Sequence, residues 1–225
     1  MDEAELSATA QDYVKVVWSA TEWTDTPVTT KFLSQRLNVS APTVSENVRK
    51  LVTAGLLEHE PYGAITLTRE GERRALQMVR RHRIIETFLV TQLRYGWDEV
   101  HDEAEVLEHA CSARLIDALD GLLGHPRRDP HGDPIPSPAG EVDAVEGVNL
   151  AAAAVGRWVV TRVSDADPEV LRELAALGVV VDARLTVLRP GEDGSGPRIE
   201  VDGGAPLDLP APAASAVWLL PEARA

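Results

Sequence analysis

The sequence predicts a mainly α-helical chain with a β-rich C-terminal module. Apolar residues recur at helical spacing in segments between residues 8 and 123. A stretch dense in proline and glycine follows at residues 124–140, and its composition predicts a linker or an extended surface segment. Beyond about residue 147 the pattern changes to short strand-like segments, among them RWVVTRV, ARLTVLRP and RIEVDG. We therefore expect helices first and strands last.

The N-terminal elements have the pattern of a winged helix-turn-helix. Ser7 is the expected N-cap of an amphipathic helix over residues 8–21, and a short second helix follows a break at residues 25–27. The turn Asn38-Val39-Ser40 leads into a third helix, which Ser40 caps and Gly55 ends. LLEHEPYGAITLT then predicts two short strands around a Pro-Tyr-Gly turn. Two short helices, a tight turn and a β-hairpin make up this motif.

The next elements are helical. Residues 69–93 predict one long helix, and residues 97–123 predict one or two more. Arginines of the long helix either extend a basic face or form only its solvated side; they are Arg73, Arg74, Arg80, Arg81 and Arg83. In the C-terminal module a short helix over residues 168–177 interrupts the strands, and we expect the module to be barrel-like.

The composition favours a soluble cytoplasmic protein. The first residues, MDEAELSATAQ, carry neither the basic region nor the apolar run of a signal peptide. No segment approaches the roughly 20 apolar residues that are needed to cross a bilayer. The single cysteine, Cys111, excludes an internal disulfide framework and suits a reducing compartment. We expect no membrane partner.

The charge distribution allows a DNA partner for the third helix. The formal net charge of −14 argues at first against nucleic acid, since phosphate contacts favour basic surfaces. Segment 29–53, however, holds four basic residues and one acidic residue, which gives a net charge of +3. Small polar residues there can reach base edges, and the basic ones can contact phosphates. The candidates for DNA contact are Thr30, Lys31, Ser40, Pro42, Thr43, Ser45, Asn47, Arg49 and Lys50. The alternative is a winged helix that serves protein–protein contact or dimerisation.

The segment 98-DEVHDEAEVLEHAC-111 carries the strongest chemical signal. At about 100° per residue, one helical face about 100° wide collects four potential metal ligands. These are His101, Glu105, Glu108 and His109. Cys111 points about 200° away from His109 on such a helix, and we interpret it as a small buried apolar residue. The face predicts a metal site.

Two residues of the preceding helix extend this pattern. His82 and Glu86 are spaced i, i+4, which lets one cation bridge a helical turn. Imidazole and carboxylate donors suit a first-row divalent ion such as Mn(II), Fe(II), Co(II) or Zn(II). The alternative is a solvated acidic helix with incidental histidines.

The sequence does not have the pattern of an enzyme. It contains no HExxH, no Gly-rich phosphate loop and no spacing of serine, histidine and aspartate that indicates a triad. We therefore expect neither catalysis nor a small-molecule substrate, although a metalloenzyme is the third class of function considered.

Together these motifs resemble the diphtheria toxin repressor family of metal-dependent regulators, over about residues 7–137. The resemblance rests on SAPTVSENVRKLVTAGLLEHE, LTREGERRALQMVRRHRIIETFLV, WDEVHDEAEVLEHACS and HPRRDPHGDPIP. It implies a homodimeric repressor that binds a double-stranded DNA operator and controls metal-ion homeostasis genes. It also implies a winged helix-turn-helix domain at 1–72, a helical metal-binding and dimerisation domain at 73–140, and an SH3-like (FeoA-like) domain at 148–225.

The resemblance further implies two metal sites per subunit. Residues of the primary site match Asp12, Glu105, Glu108 and His109, and those of the ancillary site match His82, Glu86 and His101. In the iron-responsive branch a methionine and a cysteine stand at the places of Asp12 and Glu105. Because this sequence has carboxylates at both, it resembles the manganese-responsive branch, and iron is the alternative ion. A metal-independent winged-helix regulator is a further alternative.

The sequence departs from the family pattern at two places. Lys15 stands where short manganese regulators have a glutamate, which favours two separated metal sites over a closely spaced pair. Arg162 stands where the family has a glutamate ligand in its C-terminal domain, and Asp165 lies near the position of the second ligand from that domain. Ligation by Asp165 is therefore an expectation to compare with the structure.

Overall fold

The computed structural model describes residues 6–23, 26–60, 63–144, 146–192 and 194–222. Its helices are α1 (Ala8–Trp23), α2 (Thr30–Arg36), α3 (Ala41–Thr53), α4 (Arg69–Leu93), α5 (Val100–Glu108), α6 (Ala113–Leu122), α7 (Pro168–Ala176) and α8 (Ala211–Ser215), with a 3-10 helix at Leu150–Ala152. Its strands are β1 (Leu57–His59), β2 (Ile65–Leu67), β3 (Val148–Asn149), β4 (Gly156–Val163), β5 (Arg184–Arg189), β6 (Arg198–Val201), β7 (Leu207–Asp208) and β8 (Val217–Pro221). The predicted fold class, mainly α with a β-rich C-terminal module, is confirmed.

The chain forms two compact units, and the first comprises Met1–Arg81 and Pro136–Glu141. Ser40 caps α3 as predicted, since its hydroxyl accepts a hydrogen bond from the backbone N–H of Thr43 at 3.4 Å. Strands β1 and β2 pair antiparallel as the wing, and the Pro-Tyr part of the predicted turn lies outside the described residues. The apolar faces of these elements share one core, which includes Tyr13, Val17, Leu33, Val44, Val48, Leu51, Leu57 and Ile65. The winged helix-turn-helix is confirmed.

The second unit comprises His82–Ile135 and Val142–Ala225, and it begins with the later part of α4. That part of α4 packs with α5 and α6 around a small core that includes Ile84, Ile85, Leu89, Val100, Ala104 and Ile116. The segment expected to form one or two helices forms two, because α5 ends at Glu108 and Ser112 caps α6. His109 is thus the C-cap of α5 and keeps helical backbone angles.

The strands of the second unit form one six-stranded antiparallel sheet in the order β3-β8-β4-β5-β6-β7. Leu171 and Leu174 of α7 pack into its core with Val160, Val187, Ile199 and Leu219. The pairing of β4 with β8 shifts register between Val160 and Arg162. A register shift turns side chains of a strand to new directions, and here Arg162 is buried, with 2% of its surface exposed.

The Pro- and Gly-dense segment is not an exposed linker, which corrects the expectation drawn from its composition. Residues 131–136 are buried. The backbone N–H of Val163 in β4 donates to the carbonyl oxygen of His131 at 2.8 Å. Gly132 has a φ of 90°, and a Cβ at that position would overlap the carbonyl oxygen of Thr161. The segment is therefore packed against β4, and glycine is required at the closest approach.

Two arginines of α4 also differ from expectation. Arg80 and Arg83 are neither on a basic face nor on a solvated one, since they are 8% and 5% exposed. Arg83 donates to the carbonyl oxygen of Pro134, and Arg80 donates to that of Pro136, each at 2.7 Å. Proline has no backbone N–H, so a proline-rich segment offers fewer donors to its own carbonyl oxygens. The two arginines supply hydrogen bonds to carbonyl groups that burial removes from water. Within the described ranges, no helix is long and apolar enough to cross a membrane.

Candidate metal centre

Four side chains of the second unit converge on one point. His82 and Glu86 lie one turn apart on α4, with His82 Nε2 3.1 Å from Glu86 Oε1. His101 of α5 and Asp165 of the loop after β4 complete the group, and His101 Nδ1 lies 3.0 Å from Asp165 Oδ2. One donor atom from each residue lies within 4.8 Å of all the others. Two donor atoms on opposite sides of an ion, each at 2.0–2.2 Å from it, are about 4.2 Å apart. The four donor atoms would therefore have to move only slightly closer together to coordinate one ion.

Without an ion, a proton on His101 balances part of the negative charge of the two carboxylates in this group. Burial alone would lower the pKa of His101, but the carboxylates of Asp165 and Glu86 raise it to about 10. Burial would raise the pKa of Asp165, yet the neighbouring imidazole of His101 lowers it to about 2. The pKa of Glu86 is likewise held below its usual range, against burial, by His82 and His101. A divalent cation would supply the charge that a bound proton supplies here.

A second group shares Glu86 and was not predicted from the sequence. Donor atoms of Glu86, Asp129 and His131 lie within 4.8 Å of one another, and all three residues are buried. Nε2 of His131 lies 2.7 Å from the carbonyl oxygen of Trp97, which requires a proton on that nitrogen. Nδ1 of His131 has no hydrogen-bond partner among the described residues and lies 3.9 Å from Glu86 Oε2. This is the arrangement of a ligating histidine whose second nitrogen is fixed by a carbonyl group.

The other residues assigned to the primary site are Glu105 and Glu108 of α5 and its C-cap, His109, and they lie beside this centre. Glu108 is fully buried, and its Oε2 lies 2.7 Å from Nδ1 of His82. His109 Nε2 is 3.8 Å from Glu108 Oε1, and Glu105 Oε1 is 3.7 Å from His101 Nε2. His82, Glu105 and Glu108 form a further group of donors within 4.8 Å. His82 thus contacts residues that were assigned to both predicted sites.

Asp12, the fourth residue assigned to the primary site, is half-buried on α1 in the first unit. Glu105, Glu108 and His109 belong to the second unit, so joint ligation by all four remains a prediction. Cys111 is half-buried and belongs to none of the donor groups found among the described residues.

Arg162 stands where a glutamate ligand was expected, and it forms an ion pair instead. Its Nε contacts Oδ1 of Asp133, and Nη2 of Arg83 lies 3.3 Å from Oδ2 of the same carboxylate. Asp133 also belongs to the buried Pro-rich segment. The guanidinium group therefore joins β4 to that segment without an ion, while Asp165, three residues later, lies in the donor group.

The candidate DNA-contact residues lie on α2 and α3 of the first unit. Most of them are exposed, namely Lys31, Ser40, Pro42, Thr43, Ser45, Arg49 and Lys50, whereas Thr30 is half-buried. Asn47 is half-buried too, and its Nδ2 donates to the hydroxyl oxygen of Tyr13 on α1 at 3.3 Å. The structure thus presents an exposed polar face on α3 and ties that helix to α1.

Family models match almost the whole chain. The model described as "Iron dependent repressor, N-terminal DNA binding domain" matches residues 5–65. The model described as "Iron dependent repressor, metal binding and dimerisation domain" matches residues 68–137. A FeoA domain model matches residues 148–221.

Individual proteins agree with these models. The iron-dependent repressor IdeR of Mycobacterium tuberculosis is 30% identical over 226 residues, which cover 95% of this chain and 97% of that protein. The diphtheria toxin repressor of Corynebacterium glutamicum is 32% identical over 136 residues, which cover 59% and 58% of the two chains.

Similar solved structures include manganese regulators. A manganese-dependent transcriptional repressor in complex with manganese is 51% identical, with a TM-score of 0.90, and the match covers 95% of this chain and 100% of that one. The manganese regulator SloR is 31% identical, with a TM-score of 0.79 and coverages of 95% and 98%.

Proposed function

Because this chain belongs to the diphtheria toxin repressor family of metal-dependent transcriptional repressors, we propose that manganese is its activating ion and that it controls genes of metal-ion homeostasis. Oxygen and nitrogen donors form every candidate group among the described residues, and Mn(II) prefers such donors over thiolates. The similar structure with bound manganese supports the same choice. Iron is the second candidate, since the similar IdeR proteins are named iron-dependent repressors and Fe(II) accepts the same ligands.

One observation carries this proposal: His82, Glu86, His101 and Asp165 bring four donor atoms within 4.8 Å of one another. We assign the ancillary ion to this group, with Asp129 and His131 as further ligands or as an extension of the site through Glu86. The primary ion is assigned to Asp12, Glu105, Glu108 and His109. Once bound, an ion supplies the positive charge that holds these carboxylates together.

In the proposed switch, the ion-dependent geometry of α1 sets the position of the recognition helix. Asp12 is followed directly by Tyr13, whose hydroxyl oxygen accepts the hydrogen bond from Asn47 on α3. A fixed position of Asp12 therefore restrains α3, because Asp12 is adjacent to Tyr13 in the chain and Tyr13 is hydrogen-bonded to Asn47. Metal binding and DNA binding are coupled if both favour the same arrangement of the dimer, in which the two recognition helices lie about one DNA turn apart.

The proposal includes a homodimer in the cytoplasm, with a DNA-binding domain at 1–72, a metal-binding and dimerisation domain at 73–140 and an SH3-like domain at 148–225. The match to a dimerisation domain and the expected two-fold symmetry of operators support the dimer. We propose no catalytic activity, because the members of the family named above are repressors.

A DNA-binding titration tests the proposal. The full chain is first offered a pool of random-sequence duplexes with Mn(II), and the selected duplex is then titrated with Mn(II), anaerobic Fe(II), Zn(II) or a chelator. We expect tight binding with Mn(II) and weak binding in chelator. Equal binding in chelator would establish a metal-independent regulator, and activation by Fe(II) at lower free concentration than by Mn(II) would establish the iron-dependent alternative.

A further inference from the structure

An acidic side chain lies in the middle of the exposed face of α3. Val44, Val48 and Leu51 are the buried residues of this helix. With Val44 at zero and about 100° per residue, Glu46 falls near 200°, on the side directly away from the core. Its side chain is 58% exposed, and Arg49 is exposed beside it. Glu46 therefore occupies the part of α3 that a major groove would receive.

The charge of Glu46 is unexpected at this place. It is the sole acid in segment 29–53, beside four basic residues. A carboxylate that approaches duplex DNA is repelled by the phosphates, so this residue weakens sequence-independent binding. The ion pair with Lys50, at 2.7 Å between Oε1 and Nζ, does not account for it, because exposed pairs stabilise helices only slightly. A compensating interaction with DNA would account for it.

The major groove offers few partners for a carboxylate. Hydrogen-bond donors there are the N4 amino group of cytosine and the N6 amino group of adenine. Adenine presents its N7 acceptor next to N6, which repels a carboxylate and suits an amide instead. Lys50 lowers the pKa of Glu46, so the side chain remains ionised and can only accept hydrogen bonds. Cytosine is thus the base that matches it.

We infer that Glu46 is a specificity-determining residue that accepts a hydrogen bond from the N4 amino group of a cytosine in each half-site, with Lys50 orienting its carboxylate. The inference rests on the proposed function, since it requires α3 to enter the major groove. It assigns to Glu46 a role that differs from phosphate contact, because removal of a phosphate contact weakens binding to all sequences alike.

Selection from a pool of random-sequence duplexes, with the Mn(II)-loaded full chain, tests the assignment. We compare the unsubstituted protein with Glu46→Gln and with Glu72→Gln, which removes one exposed negative charge from α4 and serves as the matched control. The selected duplex and its single-base variants are then titrated. We expect the unsubstituted protein and Glu72→Gln to prefer cytosine at one position of the half-site by roughly 5- to 150-fold over other bases. Glu46→Gln should lose this preference and favour adenine there.

Two outcomes would overturn the inference. If Glu46→Gln selected the same cytosine as the unsubstituted protein, with uniformly higher affinity for all duplexes, Glu46 would be only a solvated partner of Lys50. An equal loss of affinity for every duplex would make it a structural residue. If neither the unsubstituted protein nor Glu72→Gln enriched any duplex, the proposed function itself would fail, and the inference with it.

Discussion

Replacement of Arg162 by methionine removes the cation of a buried ion pair while keeping a side chain of similar length. Arg162 and Asp133 are 2% and 5% exposed, so neither charge is solvated. Removal of one partner from a buried pair destabilises by about 3–5 kcal/mol. Arg83 remains 3.3 Å from Asp133 and still compensates part of its charge. We therefore expect a loss near the lower end, about 3 kcal/mol.

Differential scanning calorimetry of the metal-free chain measures this loss. For a chain of this size 1 kcal/mol lowers the melting temperature by about 2–4 °C, so Arg162→Met should lower it by about 6–12 °C. Arg172→Ala is the control, because its pair with Asp98 spans 3.3 Å and the arginine side chain is 58% exposed. That variant should lose less than about 1 kcal/mol. A shift for Arg162→Met no larger than that for Arg172→Ala would refute the reasoning.

Three further predictions concern the Pro-rich segment, ion choice and pH. Gly132→Ala should destabilise the chain by more than about 1 kcal/mol in urea unfolding, because φ is 90° and the new Cβ would overlap a carbonyl oxygen; unchanged stability would contradict the close approach to β4. Asp12→Met combined with Glu105→Cys should shift activation in DNA-binding titrations from manganese towards iron, and an unaltered metal profile would refute the oxygen-donor argument. Affinity for Mn(II) should rise with pH between about 6 and 8, because His101, whose pKa is raised to about 10 against the effect of burial, must lose its proton before it ligates. Calorimetry in buffers of different ionisation enthalpy should detect that released proton, and an affinity independent of pH would count against ligation by His101.

Local signals were enough to predict most of the helical elements. Ser40 caps α3 because a serine hydroxyl can reach the N–H three residues later, and this depends on neighbouring residues alone. Two-residue strands such as β3 were not predicted, because they are too short to show a periodic pattern. The Pro-rich segment was misinterpreted because its burial depends on Arg83 and Val163, which are distant in sequence.

The same distinction applies to the candidate metal centre. The i, i+4 spacing of His82 and Glu86 is visible in the sequence, and the structure places both in one donor group. Asp129 and His131 carried no periodic signal, since they lie in a segment without regular secondary structure. Asp165 was expected near a ligand position only through the family resemblance, and it reaches His101 because β4 leads into that loop. Tertiary packing, which spacing does not encode, brings these three to Glu86 or His101.

The central claim is that one ion held jointly by Asp12 and the ligands of α5 controls DNA binding, and the Mn(II) dependence of DNA binding by Asp12→Ala tests it most directly. Asp102→Ala is the matched control, because Asp102 is an exposed acid of α5 that belongs to none of the donor groups found in the described part of the chain. We predict that Asp12→Ala folds, dimerises and still binds manganese at the ancillary group, but binds the selected duplex no better with Mn(II) than with chelator. Asp102→Ala should respond to Mn(II) as the unsubstituted protein does. The same Mn(II) response in Asp12→Ala would contradict the account.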